Sequence, residues 1–139
     1  MSVCVEAVGG CPSTPIKPKV GPRATFAEIL QALAEATLAA IPDRSTAAVG
    51  RLTGLAYTLT HEEMRVKVAE VTAQSYAFGE QWLRSVTREK DLPMPVDQLV
   101  RVIHALTEGL VFQRLLTPEL MPDEVFYAAF AALGKKSAR

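Results

Sequence analysis

The positions of the nine prolines limit where this 139-residue chain can form regular secondary structure. Four of them fall within the first 24 residues. The other five are Pro42, Pro93, Pro95, Pro118 and Pro122. Proline costs about 3 kcal/mol in the interior of a helix but is tolerated in the first turn. Helices are therefore expected in the intervals between these prolines.

Residues 1–24 differ in composition from the rest of the chain. They contain both cysteines, Cys4 and Cys11, whereas all nine aromatic residues lie in residues 25–139. Because such a segment has too little apolar surface to fold by itself, we predict an extended arm over 1–24 and one domain over 25–139. The cysteine spacing matches neither a CxxC redox pair nor a zinc knuckle, which favours two spare thiols over a small disulfide loop.

Composition and charge restrict the class of protein. Hydrophobic residues make up 49% of the chain and charged residues 22%, which is typical of a globular domain. Fifteen Lys and Arg residues balance fifteen Asp and Glu residues, whereas proteins that bind nucleic acid through its phosphates usually have a basic excess. No apolar run approaches the roughly 18 residues of a membrane-spanning helix. We therefore expect a cytoplasmic protein with no membrane partner.

The first half of the domain is predicted to contain two helices separated by Pro42. Thr25 and Glu28 form a capping box at the start of the first helix, because the hydroxyl can accept the third amide and the carboxylate can reach back. Its apolar face consists of Phe26, Ile29, Leu30, Leu33, Thr37 and Ile41. Asp43 or Ser45 can cap the second helix. Its apolar face consists of Val49, Leu52, Leu55, Ala56 and Leu59.

A long third helix is predicted from about residue 61 to residue 88. Thr60 and Glu63 form a second capping box at its start. At about 100° per residue, one face of this helix contains Met64, Val68, Val71, Ser75, Phe78 and Trp82. Charged and amide side chains cover the opposite face, so the helix is expected to be amphipathic.

The last two predicted helices are apolar on most sides. The fourth begins at Pro95 and runs to about Leu116, and only a narrow strip of it is polar. The fifth begins near Pro122 and ends at Gly134, followed by Lys135 and Lys136. Because such helices must be covered on most sides, part of their surface is expected to contact a partner chain. No segment alternates as a strand does, so the predicted fold class is all-α with about five helices.

Two stretches in this second half are similar to those of a known protein family. The first is Leu106-Thr-Glu-Gly109-Leu-Val-Phe-Gln113-Arg-Leu-Leu-Thr-Pro118-Glu119, and the second is the preceding Leu92-Pro-Met-Pro95-Val-Asp. Together they resemble the penultimate helix of TetR-family transcriptional regulators, with Met94 where an Asp cap is usual. The region of Trp82 is also similar. The resemblance covers residues 25–139 and implies a ligand-binding and dimerisation domain.

The resemblance implies a pocket for a small apolar molecule between the first four helices. Its expected lining is Leu52, Leu55, Tyr57, Met64, Val71, Ser75, Phe78, Trp82, Ile103, His104 and Thr107. Among these residues, Tyr57, Ser75, His104 and Thr107 carry polar groups that could orient a ligand. Pattern alone favours ordinary core packing for the stripe on the third helix.

The resemblance also implies a homodimer in which the last two helices of each chain form a four-helix bundle. The residues expected at or near that seam are Gly109, Phe112, Leu116, Phe126 and Phe130. The three-helix DNA-binding domain of the family has no counterpart in residues 1–24, so we expect no specific DNA binding by this chain alone. The chain would then be a trimmed regulator or a stand-alone domain, able to buffer its ligand or to pair with a full-length relative.

Motifs for catalysis or metal binding are weak. His104 and Glu108 lie one helical turn apart, a spacing that could hold a metal, but no third ligand is identifiable. Ser75 has no His or Asp placed by sequence to activate it. We therefore predict no cofactor, no metal and no catalytic residue. An enzyme on the same helical fold, using the pocket hydroxyls or His104, is the alternative.

Overall fold

A computed structural model of the chain describes residue 18 and residues 20–135. Its helices are α1 (Phe26–Thr58), α2 (Glu62–Val86), α3 (Val96–Leu116) and α4 (Asp123–Leu133). Single 3-10 turns at Glu89–Asp91 and Pro118–Leu120 precede α3 and α4. No strand occurs among the described residues, so the all-α prediction is confirmed. Cys4, Cys11, Lys136 and most of the predicted arm lie outside them.

The prediction of about five helices is wrong by one, because α1 continues through Pro42. Proline lacks the amide that would bond to the carbonyl of residue 38, which removes one hydrogen bond but does not force the helix to end. Packing on both sides of Pro42 holds the helix together. Leu30 and Leu33 are buried before it, and Arg44 forms an ion pair with Glu108 of α3 after it.

The first predicted capping box is confirmed and the second is not. The Thr25 hydroxyl accepts the Glu28 amide at 3.2 Å, and the Glu28 carboxylate accepts the Thr25 amide at 2.6 Å. In contrast, α2 begins one residue later than a Thr60 cap requires, with His61 as its N-cap and no side-chain capping bond. The Thr60 hydroxyl instead donates to the Tyr57 carbonyl at 3.1 Å, so it caps the end of α1.

One hydrophobic cluster joins the first half of α1 to α4 and to the end of α3. Its buried members are Ile29, Leu30, Leu33, Ala34, Leu110, Phe126 and Phe130. The two phenylalanines have no exposed surface, because α4 packs against α1 along this face. Full burial of a Phe side chain contributes about 1.5–3 kcal/mol, so α4 is a substantial part of the core.

A second cluster joins the end of α2 to the start of α3. Its buried members are Leu83, Leu92, Val96, Leu99 and Val100. Gly79 brings the two helices close together, because a Cβ atom at this position would lie 3.0 Å from Val100 Cγ1. Phe26, Trp82 and Ile103 pack against both clusters and so connect them.

The second half of α1 turns a different face inward from the one predicted. Val49 is 79% exposed and Leu59 is 83% exposed, whereas Gly54 and Thr58 are buried. The cause is the continuous helix: with no break at Pro42, the register of the first half carries through at about 100° per residue. Arg44, Arg51 and Thr58 therefore follow one another on the inner face, seven residues apart.

Candidate functional site

The predicted ligand-lining residues of α2 lie on a face that is only half covered. We call Met64, Val71, Ser75, Phe78 and Trp82 the α2 face. All but Phe78 are half-buried, and Phe78 is 36% exposed. Only Leu83 of the 25 residues of α2 is fully buried. A long amphipathic helix of a small domain normally buries a whole stripe, whereas Met64, Val71, Ser75 and Trp82 each keep part of their surface exposed.

The predicted lining residues of α1 are more exposed than those of α2. Leu52 is 42% exposed, Leu55 40% and Tyr57 47%. The ring of Tyr57 stacks on that of His61, with 3.5 Å between the ring centroids. The His61 Nδ1–H donates to the Tyr57 carbonyl over 2.8 Å. Tyr57 thus belongs to the turn between α1 and α2, where its ring and its carbonyl both contact His61.

On α3, Ile103 is half-buried, Thr107 is buried and His104 is exposed. Trp82 and Ile103 both lie where the two core clusters meet. The ring of His104 meets that of Tyr76 edge-on, with 5.4 Å between the centroids. This contact joins α3 to α2 on the side of Tyr76, about 100° around α2 from the neighbouring Ser75. The structure thus brings the α2 and α3 residues together more closely than it does Tyr57.

Tyr76 also carries a cation on its ring. The Arg101 guanidinium carbon lies 5.0 Å from the ring centroid. Arg101 is itself 3.6 Å from a Glu80 oxygen and 4.0 Å from an Asp97 oxygen. At this exposure such contacts contribute little individually, and only those with Tyr76 and Glu80 join α3 to α2, because Asp97 lies on α3 itself.

A group of three charges between α1 and α3 was not predicted from the sequence. We call Arg44, Arg51 and Glu108 the Arg–Glu–Arg cluster. The Arg44 Nη1 donates to Glu108 Oε1 over 2.9 Å, and the Arg51 Nη1 donates to Glu108 Oε2. Their side chains are 16%, 31% and 24% exposed, in the order Arg44, Arg51, Glu108. Separations of 64 and 57 residues along the chain leave no local signal for these pairs.

The two arginines determine the charge state of Glu108. Burial raises the pKa of the Glu108 carboxyl, but the hydrogen bonds and charges of Arg51 and Arg44 together outweigh that effect. The pKa of Glu108 is therefore lower than usual, and the carboxylate is ionised at neutral pH. With two guanidinium groups and one carboxylate, the cluster carries a net charge of +1.

Both oxygens of Glu108 are therefore paired with arginines. The suggested His104–Glu108 pair thus does not offer two free metal ligands. No group of three or more His, Cys, Asp or Glu residues that could hold a metal ion occurs in residues 18 and 20–135. In the same part of the chain, none of the helices is both long and apolar enough to cross a membrane.

The residues predicted for the dimer seam fall into two groups. Phe126 and Phe130 are fully buried within their own chain, so any place they have near the seam is behind its surface and not on it. The other three lie on an exposed apolar stripe, which we call the α3 stripe. It consists of Val102, Ala105, Gly109, Phe112 and Leu116. Spacings of three and four residues place these side chains along one side of α3.

An open cavity lies on another side of the molecule, between α1 and α4. It has a volume of about 360 Å³ and is lined by Ala27, Leu30, Gln31, Tyr127, Ala131, Gly134 and Lys135. None of these residues was predicted to bind a ligand. The sequence feature that could have indicated this cavity is the presence of small residues, such as Ala131 and Gly134, on the side of α4 that also carries Tyr127.

The chain was also compared with known proteins. No protein-family model, no curated protein and no solved structure matches it.

Proposed function

We propose that residues 25–139 form an effector-binding and dimerisation module of the TetR type, which binds a small apolar molecule. The observation that carries the proposal is the α2 face. It presents apolar side chains at helical spacing beside α3, yet only Leu83 of α2 is fully buried. An apolar ligand placed there would gain about 25 cal/mol for each Å² of apolar surface removed from water.

Polar groups near the α2 face are few, which suits such a ligand. Ser75 lies on the face itself, and His104 of α3 contacts Tyr76, the next residue along α2. Ligand sites are commonly apolar, with a small number of polar groups that fix orientation. The motifs at residues 92–97 and 106–119, in the order typical of TetR-family regulators, support the same assignment.

A second part of the proposal concerns partners. The α3 stripe gives a second copy of the chain an uncharged helical surface to pack against, as in a four-helix bundle. We assign no operator-DNA binding to this module, since its charges balance and its contacts are those of a helical core. A full-length relative is a further partner that the same stripe could accept.

Titration with 1-decanol, a neutral apolar probe, tests the ligand-binding part. Trp82 is the only tryptophan, so its fluorescence reports on the α2 face directly. We expect a saturable change with one site per chain, and loss of that change in Ser75→Phe, whose ring would fill the face. Ala73→Phe is the matched control, because Ala73 is exposed on the same helix. Absence of saturable binding to the wild-type protein would contradict the proposal.

A further inference from the structure

The Arg–Glu–Arg cluster lies where a hydrophobic contact between helices would be expected. Arg44 and Arg51 occupy inner positions of α1, in register with buried Thr37 and Thr58. Arginine is rarely this far buried unless its charge is paired. Here one carboxylate pairs with two guanidinium groups, so half of the positive charge in the cluster has no counter-ion among residues 18 and 20–135.

The cluster has donors to spare. A guanidinium group has five N–H donors, and each Glu108 oxygen accepts from one nitrogen of one arginine. No side-chain nitrogen or oxygen of the described residues is buried without a partner. The remaining guanidinium nitrogens therefore reach solvent, where they can bind an anion. Paired N–H groups of Arg match the two oxygens of a carboxylate.

The cluster lies one turn along α3 from a contact between α3 and α2. Glu108 follows His104 by four residues on α3, a rise of about 6 Å, and His104 contacts Tyr76 next to Ser75. On α1, Leu55 lies one turn beyond Arg51 and is 40% exposed. A molecule lying along the α2 face could thus place one end at the two arginines.

We propose that the ligand is an amphipathic carboxylate, with its apolar chain on the α2 face and its head group bound by Arg44 and Arg51. This inference rests on the proposed function and adds the chemical class of the ligand. In the unliganded protein, Glu108 neutralises part of the arginine charge. When the ligand binds, its carboxylate supplies the missing negative charge and shares the two guanidinium groups with Glu108.

The test compares decanoate with 1-decanol, which has the same chain length and no charge. Both are titrated at about pH 7.5, where carboxylates are ionised, with Trp82 fluorescence as the readout. We expect wild-type protein to bind decanoate about tenfold more tightly than decanol, as one charge-assisted pair of hydrogen bonds implies. Added salt should weaken decanoate binding and leave decanol binding unchanged.

Variants of the cluster assign the effect to its residues. Arg44→Gln and Arg51→Gln should each remove most of the preference for decanoate while decanol still binds. Arg84→Gln is the matched control, because Arg84 pairs with Glu80 and Glu89 at an exposed site of α2. A circular-dichroism melt of each variant identifies any that fails to fold.

Glu108→Gln separates an anion site from a purely structural cluster. It removes the competing carboxylate, so decanoate affinity should rise by about threefold even though the fold is less stable. Equal binding of decanoate and decanol by wild-type protein would overturn this inference and leave the proposed function standing. Failure of both probes to bind would overturn both, and weaker decanoate binding by a folded Glu108→Gln protein would overturn the inference alone.

Discussion

At the scale of single residues, Glu108 matters because its carboxylate pairs with two arginines and joins two helices. It is the one carboxylate through which α1 and α3 exchange charge-assisted hydrogen bonds along the second half of α1. Removing one partner of a partly buried ion pair leaves the remaining charge without a counter-ion. The free-energy cost of that unpaired charge exceeds the net stabilisation that the pair itself provides. Glu108 is therefore the residue whose charge should be most visible in stability.

The pH dependence of stability tests this role. Because the pKa of Glu108 is lowered in the folded protein, its contribution is complete above the unfolded value, near 4.5, and disappears as the pH falls through the folded value. We expect Glu108→Gln to lower the free energy of unfolding at neutral pH by about 1–3 kcal/mol. We also expect it to flatten the decline of stability as the pH falls below about 4.5.

Urea titrations at a series of pH values measure both effects. Glu70→Gln is the control, because Glu70 is exposed on α2. If the two variants show the same pH dependence, Glu108 does not hold the charge state assigned to it.

Local motifs predicted some residue-scale features and not others. Thr25 and Glu28 form the predicted capping box because both partners lie within one turn and nothing competes for them. The same motif at Thr60 fails because the Thr60 hydroxyl and the His61 ring bond to the Tyr57 carbonyl instead. The Arg–Glu–Arg cluster joins residues more than fifty positions apart, so it depended on a fold that the sequence pattern did not specify.

At the scale of elements, α1 is the helix whose prediction differs most from the structure. Proline was expected to end it, yet Pro42 lies within the helix with its ring exposed. The missing hydrogen bond is a local cost, whereas packing against α4 and the ion pairs to α3 act along the whole length of α1. Tertiary contacts thus override the local preference.

Replacing Pro42 tests whether α1 is continuous. In an unbroken helix with an exposed site, Pro42→Ala restores a hydrogen bond and removes a steric conflict, so we expect a gain of about 1–3 kcal/mol in stability. If α1 were two separate helices, the gain would be close to zero. Chemical denaturation measures the change. Pro95→Ala is the control, because Pro95 is the N-cap of α3 and displaces no helical hydrogen bond.

The other elements followed their local signals more closely. Pro95 and Pro122 mark the starts of α3 and α4, and Gly134 marks the end of α4, as predicted. The inner face of the second half of α1 was predicted incorrectly. Because the helix is continuous through Pro42, the first half determines which side of the second half faces inward. A break that does not occur thus accounts for both errors in α1, the helix count and the exposed Val49 and Leu59.

At the scale of the whole molecule, an apolar stripe on α3 remains exposed to solvent. Leu116 is 59% exposed and Phe112 is 38% exposed, and both lie on the α3 stripe. A contiguous apolar stripe of this kind is a typical surface for another protein or for a second copy. Phe130, by contrast, is already used in the core. The proposed dimer must therefore use the α3 stripe and the outer side of α4.

Two charge substitutions separate the dimer surface from the core. Leu116→Glu places a carboxylate on the α3 stripe, so we expect it to convert a dimer into a folded, fully helical monomer. Phe130→Glu places the same charge where the side chain has no exposed surface, and we expect it to unfold the chain instead. Sedimentation velocity and circular dichroism together distinguish these outcomes at micromolar concentrations. A wild-type protein that sediments as a monomer, or a Leu116→Glu protein that remains dimeric, would show that the α3 stripe is not the dimer surface.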